Sequence, residues 1–213
     1  MSTYQSRKAA LRKKAARRGV LAMMPLIVLG LIAGGLLIKW SFQEIKEFRY
    51  SLPYEEYVTE YCEQYDVDPL FIYAMMKQES NFNPKAVSID NARGLLQLTE
   101  ETYDWVKGKL AAEGVVNLGS TESFEDMFEP QTNIRYAVWL TAYLMERFDG
   151  EEKTVVAAYH AGMNITDKWL DNPVYSDDGV KLKKIPYSDT QYHVRKVMGY
   201  YEEYLELYRS GKK

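Results

Sequence analysis

The chain has 213 residues, of which 46% are apolar and 14% aromatic, and a formal net charge of −3. That is enough for one globular domain of ordinary size with an appendage, and it excludes a long disordered tract. The charge is unevenly placed. Residues 1–18 hold seven cations and no acid; taking them away leaves 20 cationic against 30 acidic residues, about −10, which argues against a nucleic-acid partner.

The basic segment runs straight into Gly19–Ile38, twenty residues without a charge. At ~1.5 Å per residue such a helix covers a hydrocarbon core of ~30 Å. Lys39 and Trp40 close it as interfacial anchors do, and the preceding cations predict that this end stays in the cytoplasm. The expected organisation is a basic cytoplasmic tail over 1–18, a single transmembrane helix over 19–38, a stalk over 39–53 and an extracytoplasmic domain over 54–213. The rival reading is a cleaved signal segment, with a shorter apolar run and a small-residue cleavage site; Leu36, Leu37 and Ile38 prolong the apolar run past Ala33-Gly34-Gly35.

The body reads as helices. Tyr54–Tyr65 is amphipathic. Asp68-Pro69 starts a helix that runs to about Ser80, with Asp as the N-cap and Pro in the first turn. The stretch from Asn81 to Leu98 is rich in turn residues and suits a small β-hairpin. Thr99 opens a helix to about Leu110, and Pro130–Phe148 is long, with Ile134, Val138, Ala142 and Met145 on one face. Shorter helices are expected over Glu151–Ala161 and Ile165–Leu170. Asn172–Ser188 reads as irregular, and Gln191–Tyr208 as the last long helix. The fold class is therefore mostly α, a compact helical domain with a minor hairpin.

Few residues offer chemistry. Ile72, Met75, Met76 and Glu79 share one helical face, so a carboxyl continues an apolar stripe. Desolvation and the negative end of the helix both favour its protonated form, as a general acid requires. Gln97, between Leu96 and Leu98, is a polar side chain that needs partners if buried. Tyr159 stands in the small-residue run Ala157–Gly162, placed to donate to Glu79 or to substrate. Tyrosine is abundant, 18 residues, which suits sugar recognition or core packing. His160 and His193 are too few for a zinc site, and no nucleophile elbow, Walker loop or dinucleotide fingerprint is present. Cys62 is alone, which rules out an internal disulfide and leaves a small apolar helix residue. No metal or other cofactor is expected.

These segments together resemble the lytic transglycosylase domain of the soluble-lytic-transglycosylase type, whose lysozyme-like fold is shared with goose-type lysozyme. Met76-Lys77-Gln78-Glu79-Ser80-Asn81-Phe82-Asn83-Pro84-Lys85-Ala86 is similar to the family's catalytic signature around its glutamate. Ser88 followed by Ala92-Arg93-Gly94-Leu95-Leu96-Gln97-Leu98 resembles its second motif. Asn133-Ile134 through Tyr143-Leu144 and Ala158-Tyr159-His160-Ala161-Gly162 resemble the third and fourth, and Ile185-Pro186-Tyr187 with Tyr192-His193-Val194-Arg195-Lys196-Val197 resembles a later pattern. The resemblance implies an enzyme that cuts peptidoglycan glycan strands with Glu79 as its single acid/base, giving 1,6-anhydro ends. It implies that Ser88, Gln97, Tyr159, His160 and Tyr192 bind substrate, with Tyr159 also fixing Glu79. His160 stands where asparagine is usual, Leu96 where methionine is usual and Ala137 where glycine is usual. A hydrolysing muramidase on the same fold and a non-catalytic wall-binding scaffold are the alternatives.

Overall fold

The computed structural model describes residues 2–117, 119 and 121–209. Residue 1 of the basic tail and the last four residues of the expected body therefore lie outside the described residues. The chain divides into two units, Met1–Ser51 and Leu52–Lys213.

The first unit is one helix, α1 (Ser2–Arg49), which runs through Pro25 and through most of the expected stalk. Its section Met23–Arg49 is long and apolar enough to cross a membrane, with a mean hydropathy of 1.9, and none of it is buried. Leu29, Leu31, Leu36, Leu37 and Trp40 all stand exposed.

The second unit is built on α2 (Glu55–Tyr65), α3 (Pro69–Glu79), α4 (Glu100–Ala112), α5 (Pro130–Arg147), α6 (Glu152–Ala161), α7 (Met163–Leu170) and α8 (Ser188–Tyr208), with a single 3-10 turn at Phe124–Phe128 before α5. Helix α3 starts where the sequence says it should. The Asp68 side chain accepts from Leu70 N–H at 3.0 Å, and Pro69 fills the first position, where no donor is needed. The other oxygen of Asp68 accepts from the Tyr201 hydroxyl and from Arg209 Nη2 at 2.6 Å, so one carboxylate caps α3 and ties down the far end of α8.

The apolar stripe expected on α3 is wider than one face. Phe71, Ile72, Tyr73, Ala74, Met75 and Met76 are all buried, because α3 is enclosed by neighbouring helices and packs most heavily on α8. A helix that is apolar all round belongs at the centre of a domain. A third of the tyrosines go to this core: Tyr61, Tyr73, Tyr103, Tyr136, Tyr201 and Tyr204 are buried, and Phe71 meets Tyr201 edge-on at 5.3 Å. Cys62 is buried too, and burial pushes its thiol up to about 12, so it behaves as a neutral, small packing residue.

The expected hairpin over Asn81–Leu98 is not a hairpin. The described residues contain no strand, and this stretch holds only two isolated antiparallel bridges, Val87 with Arg93 and Arg93 with Leu98. Asn81, Phe82, Asn91 and Gln97 all adopt positive φ, as does Gly94, so the chain reverses too often for a ladder to grow. Gly94 is required. At φ 78° a Cβ there would meet the Met127 carbonyl oxygen at 2.0 Å and Asn133 Nδ2 at 2.4 Å.

Candidate active site

The C-terminal end of α3 places Glu79 beside this irregular segment. The side chain is 13% exposed and lines a cleft of about 380 Å³ with Gln78, Ser88, Asp90, Gln97, Thr102, Leu140, Tyr159 and His160. The chain turns sharply just after the carboxylate: Asn81 and Phe82 have φ of 49° and 66°. Non-glycine residues held there cost ~1–3 kcal/mol each and persist only where surrounding contacts enforce them. Ser80 supplies one such contact, donating to the Leu95 carbonyl at 2.8 Å. A hollow of about 450 Å³ on another part of the body, around Trp139 and Tyr143, contains none of these residues. A third, of about 470 Å³, shares Thr102, Leu140 and Tyr159 with the cleft and continues along Trp105 and Ala161–Ile165. The two adjoining hollows make an elongated groove past Glu79.

Five of the six residues singled out in the sequence line the cleft: Glu79, Ser88, Gln97, Tyr159 and His160. Several are also engaged in shaping it. Ser88 Oγ accepts from Ala92 N–H at 3.1 Å. The Gln97 amide nitrogen donates to the Gly94 and Ala86 carbonyls at 2.9 and 3.2 Å. Asn133, fully buried at the start of α5, accepts from Leu96 N–H at 2.9 Å and donates to the Arg93 and Met127 carbonyls, both at 3.0 Å.

Tyr159 departs from expectation. Its hydroxyl donates to the Leu96 carbonyl at 2.7 Å, not to Glu79. Although the residue is partly exposed, its hydroxyl lies in packed surroundings; burial, and then the charge of Glu79, raise the phenol well above its ordinary range. It therefore stays a neutral donor, and its stabilising bond persists until pH rises above the ordinary phenol range near ~10. Tyr159→Phe is expected to cost about 2 kcal/mol, because it orphans a carbonyl, and to lower Tm by roughly 5 °C in a thermal melt.

The sixth residue, Tyr192, is not among the residues lining the cleft. It is 50% exposed, and its ring packs under the Arg195 guanidinium. The next residue takes the place expected of it: His193 Nε2 lies 3.3 Å from Glu79 Oε1. The sequence held the signal for this. Thr190, His193, Val194, Val197, Tyr201 and Tyr204 recur at helical spacing and are all buried, with Tyr192 on the opposite face. His160 packs against His193 with ring centroids 4.4 Å apart. Asp90, also not singled out, lines the cleft from an exposed turn. Among the described residues no group of three or more His, Cys, Asp or Glu is placed to hold a metal ion.

A helical body with an enclosed carboxylate at the end of its buried central helix, opening on an elongated groove, defines a lysozyme-like domain. The chain belongs to the transglycosylase SLT domain family, whose profile matches residues 56–179, more than half of it. A soluble lytic murein transglycosylase of Salmonella typhimurium is 30% identical over 158 residues, covering 72% of this chain and 23% of that protein. A membrane-bound lytic murein transglycosylase C of Edwardsiella ictaluri is 32% identical over 116 residues, 51% of this chain and 31% of that protein. Among solved structures, the 70 kDa soluble lytic transglycosylase of Escherichia coli superposes with a TM-score of 0.65 at 25% identity, over 79% of this chain and 26% of that one. The chain thus spans about a quarter of the length of its soluble relatives.

Proposed function

We propose that this chain is a membrane-anchored lytic transglycosylase of the bacterial cell wall, cutting the β-1,4 bond between N-acetylmuramic acid and N-acetylglucosamine without water. One observation carries the reading: of the two carboxylates lining the cleft, only Glu79 is enclosed, while Asp90 stands in solvent. Most glycosidases that use water or a protein nucleophile work with a pair of carboxyls. A single carboxyl suffices when the substrate supplies its own nucleophile. Glu79 gives its proton to the glycosidic oxygen as the bond from the anomeric carbon breaks. The 6-hydroxyl of the same muramic acid then bonds to that carbon, and its proton returns to the Glu79 carboxylate. Glutamate is regenerated and the product carries a 1,6-anhydro ring. The substrate acetamido group stabilises positive charge at the anomeric carbon, as in substrate-assisted glycosidases. Ser88, Gln97 and His160 bind the sugar, and Tyr159 keeps the Leu96 segment in place.

The anchor is proposed on separate grounds. Met23, Leu29, Leu31, Leu36, Leu37 and Trp40 of α1 stand exposed, and an uncovered apolar surface of that length calls for lipid. The cations of residues 1–18 orient that end toward the cytoplasm, which puts the catalytic body, Leu52 onward, outside. The relative named as membrane-bound supports membrane association.

Asp90 favours a second reading, a muramidase in which that carboxylate activates water. Product mass separates the two. The full chain in mild detergent, incubated with purified sacculi, is expected to release muropeptides one water lighter than hydrolytic products. Hydrated products that vanish in Asp90→Asn would establish the muramidase instead.

A further inference from the structure

His193 is an unusual side chain to bury beside a catalytic carboxyl. It is 5% exposed, and its Nε2, enclosed and without a hydrogen bond, lies 3.3 Å from Glu79 Oε1. His160 lies against the same ring, and its Nδ1 pairs with Thr190 Oγ1 at 3.1 Å. Thr190 is itself 1% exposed. Besides His193, the titratable groups bearing on His160 are Glu79 from α3 and Asp189 from the first turn of α8. The nearby cations are turned elsewhere: Lys77 faces the Phe82 and Tyr200 rings, Arg195 the Tyr192 ring and Lys196 the Tyr200 ring. Burying an imidazole costs more than burying a leucine of similar size unless a partner uses it, and here the partner is the acid/base.

We propose that His193 is a positioning residue for Glu79. Its Nε2, set 3.3 Å from Oε1, holds the carboxyl in the orientation from which it gives its proton and takes one back. Burial first, and then neighbouring His193, lower the proton affinity of His160, while Glu79 and Asp189 partly offset this. Because the proton affinity of His160 is lowered in the fold, its contribution weakens the protein as pH falls below the ordinary histidine range, near ~6.5.

The inference rests on Glu79 as the acid/base, and the test keeps the two apart. Initial rates of muropeptide release are measured with the full chain in detergent, for wild type, His193→Gln and His193→Leu. His193→Leu is expected to lose about 100-fold in kcat, with KM little changed. His193→Gln, which keeps a polar contact, is expected to recover at least about tenfold of that loss. A leucine variant with wild-type kcat, or a glutamine variant as slow as the leucine one, overturns the proposal. A wild type that releases nothing sinks the transglycosylase reading alone. The contact is then read from the imidazole 15N signals: a response of His193 to Glu79→Gln upholds the pairing, and no response overturns it.

Discussion

Glu79→Gln is expected to reduce muropeptide release from sacculi by about a thousandfold, within the range contributed by a positioned general acid/base, while leaving the thermal melt within a few degrees of wild type. The two expectations come from the same geometry. The amide is isosteric with the carboxyl and keeps the packing at the end of α3, and the site is open enough to the cleft that losing the charge does not create a void. What the amide cannot do is make the two proton transfers proposed for Glu79. The loss should fall on kcat, because both transfers belong to the transition state and not to binding. Retained cleavage would move the chemistry to Asp90, the other carboxylate lining the cleft. A collapse of stability together with activity would make the result uninterpretable as catalysis, so both measurements are made on one preparation.

Much of this arrangement could be read from the chain, and the parts that could not share a cause. Helix starts are set by local chemistry: Asp68 and Thr99 accept from backbone N–H groups two and three residues on, and both helices begin as their sequences indicate. The position of Glu79 was also local, since it follows Met75 and Met76 at helical spacing. Periodicity indicated one apolar face of α3, but enclosure on every side depends on how other helices pack against it, which spacing within α3 does not encode. The partner of Tyr159 was misjudged for the same reason. Whether its hydroxyl meets Glu79 or the Leu96 carbonyl is decided by the register of α6 against the 93–98 segment. The expected hairpin failed because turn residues were read as one turn between two strands. The positive φ angles at Asn91, Gly94 and Gln97 spread the reversal along the whole segment. Tyr192 and His193 differ by a single step of about 100° around α8, and only counting the buried positions to the end of the helix separates them.

Asn133 anchors the segment that lines the cleft, and Asn133→Leu is expected to be strongly destabilising. Leucine keeps the branched shape of asparagine but is larger, so overpacking adds to a cost that is mainly polar. Three bonds are lost, but they do not count equally. The Arg93 carbonyl keeps a second donor, Leu98 N–H at 3.2 Å, whereas Leu96 N–H and the Met127 carbonyl lose their Asn133 partner in a fully buried setting. At ~1–3 kcal/mol for each orphaned group, the loss is about 4 kcal/mol, which lowers Tm by roughly 10 °C for a body of this size. Gly94 rules out an easy repair, because the contacts that a Cβ would violate there are Asn133 itself and the Met127 carbonyl, so the segment cannot shift without breaking the same junction. A melt reads the stability term. Cleavage measured well below the lowered Tm reads the second, since the 93–98 segment carries Gln97 and the Leu96 carbonyl that Tyr159 grips. Slower release by the folded variant is expected. A melt within two or three degrees of wild type would mean that the segment is held by its turns alone, and that the amide is dispensable.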